Sequence, residues 1–163
     1  MTQKTTKEEI KDYEFLDSKN KKIKLSEIFG KKDDLILIHN MGVSCPYCTL
    51  WADGFNGILQ HLEDMVAFVV VSNDTPQVQK KFVKSRKWKF KMLSANGTSF
   101  SDDMGFKSKN GFEPGASIFH KDGSKIYRVS NASFSPGDDY CIAWHFLDLL
   151  PGKKDWQPKF RYK

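Results

Sequence analysis

The sequence predicts an α/β fold, in which helices lie on both faces of a central mixed β-sheet that carries an N-terminal β-hairpin extension. Three observations support this prediction. Residues 35–39 and 66–71 are short, continuous apolar runs, which are typical of strands covered on both faces. A helical pattern lies between them, so the three segments form a right-handed βαβ unit. Residues 116–119 and 126–129 flank a Lys-Asp-Gly turn, which predicts a β-hairpin.

The elements ahead of the second apolar run follow from local signals. Residues 13–16 and 22–25 are separated by a polar turn, which predicts the N-terminal hairpin, and residues 26–30 predict one helical turn that ends at a glycine. The central helix begins near Pro46, at a position that suits proline. Its apolar residues recur with helical spacing and predict one buried face: Trp51, Phe55, Ile58, Leu59 and Leu62.

The C-terminal half predicts two further helices and a strand. Asp74 or Thr75 can cap a helix that starts near Pro76 and ends near Arg86, and a strand is expected at 90–93. Asp138 or Asp139 can cap a last helix before Pro151. The residues of this helix that are expected to face the core are Ile142, Phe146, Leu149 and Leu150.

Length and composition indicate a single domain. The chain has 163 residues, of which 39% are hydrophobic and 28% are charged, values that are typical of soluble globular proteins. We expect one domain over 1–163, with a polar segment at 1–11 and a basic, aromatic tail at 151–163 that packs across the domain surface. Neither a signal-peptide pattern nor an apolar run of membrane length is present, so the expected location is the cytoplasm.

The formal net charge is +6, which favours anionic partners without naming one. Lysines are spread along the whole chain, and nucleic-acid-binding motifs are absent, so we expect neither a nucleic-acid nor a membrane partner. The densest basic cluster is either a solvated surface or a docking surface for an acidic partner; it comprises Lys80, Lys81, Lys84, Arg86, Lys87, Lys89 and Lys91.

Two of the three cysteines, Cys45 and Cys48, form a C-x-x-C motif directly after the first apolar strand, where the central helix starts. Free N–H groups and the helix dipole at this position stabilise a thiolate, so Cys45 is the expected nucleophile. Cys48 lies one helical turn further on and can attack the resulting mixed disulfide as the resolving thiol. Tyr47 offers an apolar surface to a substrate beside the sulfur.

Metal binding is the alternative reading of a C-x-x-C motif. His61 follows Cys48 at a zinc-finger-like distance, but residues 64–66 contain no second histidine, and no second C-x-x-C motif is present. The sequence therefore predicts neither a metal site nor a bound cofactor.

The stretch from Cys45 to Gly57 is similar to the bacterial thioredoxin-like family catalogued as domain of unknown function 899, and residues 68–72 and 114–119 also fit that family. Residues 15–41 resemble the alkyl-hydroperoxide-reductase and membrane-tethered thioredoxin branches of the same superfamily. The tetrapeptide at 45–48 resembles the active site of glutaredoxins. Together these resemblances imply a thioredoxin-like fold and a thiol–disulfide oxidoreductase.

The resemblance also implies roles for two residues outside the cysteine pair. Pro114 has the spacing of the superfamily's cis-proline, which lies beside the cysteines and orients extended substrates. His39 stands six residues before Cys45, where thioredoxins carry a buried carboxylate, so it is either a proton-transfer group or a packed strand histidine. His120 and His145 suggest only surface or core packing.

Two other functions stay open. Peroxiredoxins carry a threonine three residues before the nucleophile, and here that position is Gly42, but Cys45 and Cys48 could still act as a thiol peroxidase. A non-enzymatic redox-sensing domain is the other alternative. Cys141 is either a distant resolving cysteine or a small buried residue of the last helix. The expected partners are a disulfide-containing protein or a small thiol or disulfide, together with a reducing partner of unknown identity.

Overall fold

The computed structural model describes residues 4–152 and 155–163. Its eight-stranded sheet has the order β1-β10-β9-β4-β5-β6-β2-β3. These strands are β1 (Lys4–Ile10), β2 (Glu14–Leu16), β3 (Lys22–Lys24), β4 (Asp34–His39), β5 (Ala67–Ser72), β6 (Lys91–Ser94), β9 (Gly115–Asp122) and β10 (Lys125–Ser133). A small separate hairpin pairs β7 (Lys107–Ser108) with β8 (Gly111–Phe112). The helices are α1 (Leu25–Ile28), α2 (Pro46–Met65), α3 (Pro76–Arg86), α4 (Phe100–Asp103) and α5 (Ile142–Asp148).

The central strands confirm the predicted mixed sheet. β4, β5 and β6 are parallel neighbours, joined by α2 and α3. On the other side of β4, β9 runs antiparallel to β4, and β10 runs antiparallel to β9. Side chains of β4 alternate between two cores: Leu35 and Leu37 lie on one face of the sheet, with Ile36 and Ile38 on the other. Helices α1 and α4 pack on the first face, and α2 and α3 on the second.

Both ends of the chain are tied to this core. The predicted polar segment 1–11 contains an edge strand, because β1 pairs with β10 from Lys4 to Ile10; residues 1–3 lie outside the described part. In the described part of the tail, Trp156 and Phe160 pack on the domain surface, as predicted. There the Arg86 guanidinium donates to the Phe160 carbonyl at 2.6 Å, and the Trp156 ring packs against Trp144.

The predicted orientation of the last helix is wrong. Its expected inward residues are exposed: Ile142 (70%), Phe146 (63%), Leu149 (79%) and Leu150 (45%). Trp144 is buried instead, against Tyr47 and Trp156, and this contact rotates the apolar face outward. The predicted capping residue Asp138 is buried and accepts hydrogen bonds from the Trp51 indole and from two backbone N–H groups of its own loop.

The predicted buried face of α2 is confirmed in part. Trp51, Phe55 and Leu59 are buried, but Ile58 is 48% exposed. No helix in the described ranges is both long enough and apolar enough to span a membrane.

Candidate active site

Cys45 caps the N-terminus of α2. Its backbone is extended, Pro46 occupies the first helical position, and the Cys48 N–H donates to the Cys45 Sγ at 3.1 Å. The sulfur thus satisfies one of the N–H groups that a helix leaves unpaired in its first turn. Because Cys45 is only partly buried, its sulfur stays within reach of a substrate.

The two thiols have opposite electrostatic environments. The Cys48 thiol hydrogen bond lowers the pKa of Cys45 to about 7, aided by the N–H groups of Cys48 and Tyr47 and opposed by burial. The same hydrogen bond, together with burial and the Cys45 charge, raises the pKa of Cys48 far above its ordinary value. Cys45 is therefore partly thiolate at neutral pH, while Cys48 holds its proton.

Cys48 is buried at the base of the site. Its sulfur accepts from the Met41 N–H at 3.4 Å, and its residue belongs to the core beneath α2. Access to a substrate is thus unequal, with Cys45 at the helix entrance and Cys48 behind it.

Asp74 holds the loop between β4 and Cys45. Its carboxylate accepts from the Val43 N–H at 2.9 Å and from the Ser72 hydroxyl at 3.2 Å. Gly42 lies against the same carboxylate with φ +117°, a backbone conformation that favours glycine. A Cβ at Gly42 would lie 2.9 Å from an Asp74 oxygen, so no side chain fits at this position without a shift. The Asp74 contacts therefore fix the backbone that leads into Cys45.

His39 does not join the cysteine pair. It shares the sheet face of Leu35 and Leu37, whereas Cys48 packs in the core on the opposite face. Its ring stacks with the rings of Phe106 and Phe100, and its Nε2 lies 2.8 Å from the Ser117 hydroxyl oxygen. Burial lowers the pKa of His39 to about 3, so the ring is neutral at physiological pH. This geometry corrects the proton-transfer expectation and matches the packed strand histidine.

Pro114 lies at the correct edge of the sheet, but its peptide bond is not cis. Gly115 pairs with His39 at the end of β4, which places Pro114 near the loop that leads to Cys45. The described residues contain no cis peptide bond, so the cis-proline expectation is wrong. Instead the chain enters β9 through a trans bond, with the Pro114 carbonyl accepting from the Phe134 N–H at 3.0 Å.

The ring of Tyr47, a residue of α2, contacts α5, and Cys141 directly precedes α5. The Tyr47 ring is half-buried and packs against Trp51 and Trp144, at centroid distances of 6.4 and 6.1 Å. Cys141 is buried directly before α5, and burial raises its pKa. Cys141 thus matches the expected small buried residue.

The remaining histidines lie away from the cysteine pair. His61 is exposed on α2, His120 contacts Asp34 at 2.7 Å, and His145 lies 3.3 Å from Asp139. Within the described ranges, no three side chains of the metal-binding types are grouped so that they could hold an ion.

The sequence profile of a family described as "Bacterial protein of unknown function (DUF899)" matches residues 6–161. The chain belongs to this family. The resemblance inferred from the residues around Cys45 is therefore confirmed. The curated proteins contain no match to the chain.

Solved structures similar to this DUF899 protein have the thioredoxin fold of peroxiredoxins. The peroxidoxin BcpB of Mycobacterium tuberculosis has a TM-score of 0.70 at 20% identity, over 80% of this chain and 88% of that one. A Cys-to-Ser mutant of PrxQ from Xylella fastidiosa has a TM-score of 0.68 at 14% identity, over 91% and 97%. A peroxiredoxin-like protein from Aquifex aeolicus has a TM-score of 0.65 at 17% identity, over 82% and 78%. At these identities the likeness establishes the thioredoxin-like fold.

Sequence reasoning missed the part that Asp74 plays at the site. Asp74 was expected only as a possible cap of α3, and the Thr75 side chain fills that role by accepting from Val78 N–H. The contact with Val43 spans 31 positions of sequence, so no local pattern announces it. The one available signal is Gly42, a glycine shortly before the C-x-x-C motif.

Proposed function

We propose that this DUF899 protein is a thiol peroxidase in which Cys45 is the attacking thiolate and Cys48 is the resolving thiol. The observation that carries the proposal is the pairing of the two sulfurs at the start of α2. The pKa of Cys45 is lowered to about 7, whereas that of Cys48 is raised. Cys45 can therefore attack as a thiolate at neutral pH, while Cys48 keeps its proton.

The first step oxidises Cys45. Its thiolate attacks one oxygen of a hydroperoxide, an S–O bond forms, and the O–O bond breaks. Cys45 becomes a sulfenic acid, and the peroxide is reduced to an alcohol or water after the leaving oxygen takes up a proton.

The second and third steps return the enzyme to its reduced state. The sulfur of Cys48 attacks the sulfenic sulfur of Cys45, an S–S bond forms, and the hydroxyl group leaves as water with the Cys48 proton. An external dithiol then reduces this disulfide by exchange and is itself oxidised to a disulfide. We propose a dithiol protein, or two molecules of a small thiol that end as one disulfide, as this electron donor, and the cytoplasm as the compartment.

The identity of the neighbours supports peroxide as the oxidant. The structures reported above carry the names peroxidoxin, PrxQ and peroxiredoxin-like protein. The comparisons thus favour a peroxidase over the thiol–disulfide exchange that the tetrapeptide at 45–48 suggests.

Thiol–disulfide exchange is the second candidate, and Gly42 favours it. This position carries the threonine of peroxiredoxins, and here neither the backbone nor Asp74 leaves room for a side chain. The hydroxyl that would hold the peroxide is therefore absent from this loop. In exchange, Cys45 would attack a substrate disulfide and Cys48 would release the mixed disulfide. Tyr47 and Pro114 are proposed as substrate contacts for either reaction.

Single-turnover reactions of the full chain distinguish the two candidates. The Cys48→Ser variant is mixed separately with a hydroperoxide and with a model disulfide, and intact masses are followed over time. Peroxidase activity predicts a Cys45 sulfenate that forms faster than the disulfide adduct. Cys45→Ser should abolish both reactions, and Cys141→Ser is the matched control that should leave both unchanged.

If the disulfide adduct forms faster than the Cys45 sulfenate, thiol–disulfide exchange is the function instead. Absence of both products contradicts an enzyme that uses Cys45, and it favours a non-enzymatic binding domain.

A further inference from the structure

A groove of about 590 Å³ lies between α3, β6 and the β2–β3 hairpin, in a part of the fold that the proposed reaction does not use. It exists because the sheet opens here. In the described chain, β2 and β6 share only one register pair, Leu16 with Ser94. Beyond that pair the hairpin diverges from β6, so the start of β6 and the flank of α3 remain uncovered on this side.

The base of the groove is apolar. Its side chains include Val83 of α3 and those of three alternate residues, Trp88, Phe90 and Met92. The indole N–H of Trp88 is already used, because it donates to an Asp53 oxygen at 2.7 Å. The Trp88 ring therefore offers only its apolar surface to the groove, and an apolar molecule would displace water from it favourably.

The rim of the groove is positively charged. Four exposed lysines line it, and none forms an ion pair with a described residue: Lys80, Lys84, Lys87 and Lys91. The single acidic residue of the lining is Asp17, whose carboxylate is engaged by the N–H groups of Lys19 and Lys21 at 2.8 and 2.9 Å. The uncompensated lysines give the groove a field that attracts anions.

A buried amide beside the groove has an unused acceptor. The Gln79 Nε2 donates to the Leu93 carbonyl at 2.9 Å and to the Ser72 hydroxyl at 2.8 Å, and these two bonds fix the orientation of the amide. Its Oε1 accepts no hydrogen bond from any described residue, although the side chain is buried and lines the groove. Buried polar atoms of this kind are rare in folded proteins.

We propose that this groove binds a small amphipathic anion, namely a carboxylate, sulfonate or phosphate that carries an alkyl or aryl group. The anionic end contacts the lysine rim, and the apolar part lies on the surface formed by Trp88, Phe90 and Met92. Concave shape and volume favour a small molecule over an acidic protein surface, because ligand sites usually measure about 300–1,000 Å³. Four residues of the basic cluster, Lys80, Lys84, Lys87 and Lys91, are thus assigned to a binding site.

Fluorescence titration of the full chain tests the proposal with anilinonaphthalene sulfonate as the anionic probe and uncharged phenylnaphthylamine as its neutral counterpart. In the Lys84→Glu/Lys87→Glu variant, we expect the affinity for the anion to fall by at least about tenfold, because two attractive charges become repulsive. The affinity for the neutral probe should change by less than about twofold. The matched control, Lys31→Glu/Lys109→Glu, makes the same change in net charge at exposed positions away from the groove.

A second variant checks where the probe binds. Ile58→Glu places a charge in a separate apolar pocket between α2 and the sheet, and it should leave the affinity for the anion unchanged. The proposal is overturned if both double variants weaken binding equally, or if Ile58→Glu abolishes it. It is also overturned if a polyglutamate peptide, rather than the small anion, binds in a manner that depends on Lys84 and Lys87.

Discussion

Substitution of Gly42 by alanine tests how the loop before Cys45 is held. Two costs are expected. The φ of +117° is strained for any residue with a side chain, and the added Cβ would lie 2.9 Å from the Asp74 carboxylate. That carboxylate cannot retreat freely, because it accepts from the Val43 N–H and the Ser72 hydroxyl. Backbone strain and a weakened, partly buried hydrogen bond together predict a loss of about 2–4 kcal/mol in the free energy of unfolding.

Urea denaturation of the reduced protein measures this loss, and two further variants make it specific. Gly54→Ala is the matched control, because Gly54 lies in α2 with nothing within 4 Å of its missing Cβ. This control should stabilise the protein by about 0.5–1 kcal/mol. The Gly42→Ala/Asp74→Ala double variant should cost less than the sum of the two single variants, because the steric contact is then absent. If Gly42→Ala costs less than about 0.5 kcal/mol, the account of this loop is wrong.

The remaining predictions concern titration and packing. Alkylation of Cys45 by iodoacetamide should have a pH midpoint at about 7, and Cys48→Ala should raise that midpoint because the Cys48 thiol is the main cause of the lowered pKa; a midpoint typical of a free thiol in both proteins would contradict this. Burial lowers the pKa of His39 to about 3. As the pH is lowered below about 6.5, the unfolded chain binds a proton that the folded protein does not, so the free energy of unfolding decreases, by about 2 kcal/mol at about pH 5. His39→Gln should remove this slope in urea denaturation, and an unchanged slope would exclude His39 as its source. Trp144→Ala should lower the free energy of unfolding by about 3–5 kcal/mol, and Phe146→Ala by less than about 0.5 kcal/mol. The opposite order would show that the face of α5 with Phe146 packs against the core.

The sequence was sufficient for the central unit and the cysteine pair. Continuous apolar runs predict β4 and β5, and the helical pattern between them predicts α2, because these signals are local. The position of Cys45 before Pro46 likewise predicts an N-terminal cap, which the structure confirms.

Contacts between distant segments explain the errors. The orientation of α5 depends on Trp144 packing against Tyr47 and Trp156, and no periodicity within the helix contains that information. The strand β1 is polar at most positions and is defined by its pairing with β10. His39 and Ile38 are neighbours in β4 and therefore point to opposite faces of the sheet. The sequence does not show which of these faces α2 covers, so it does not show whether His39 lies on the side of the cysteines.

The most direct test of the proposed reaction is the product that the reduced full chain forms with a stoichiometric amount of hydroperoxide. Intact mass and peptide mapping report this product. Attack by Cys45 and resolution by Cys48 predict the loss of two hydrogen atoms and a single Cys45–Cys48 disulfide, with Cys141 still alkylatable. A disulfide to Cys141, or stable oxidation of Cys45 while Cys48 remains a free thiol, would contradict the assignment of Cys48 as the resolving thiol.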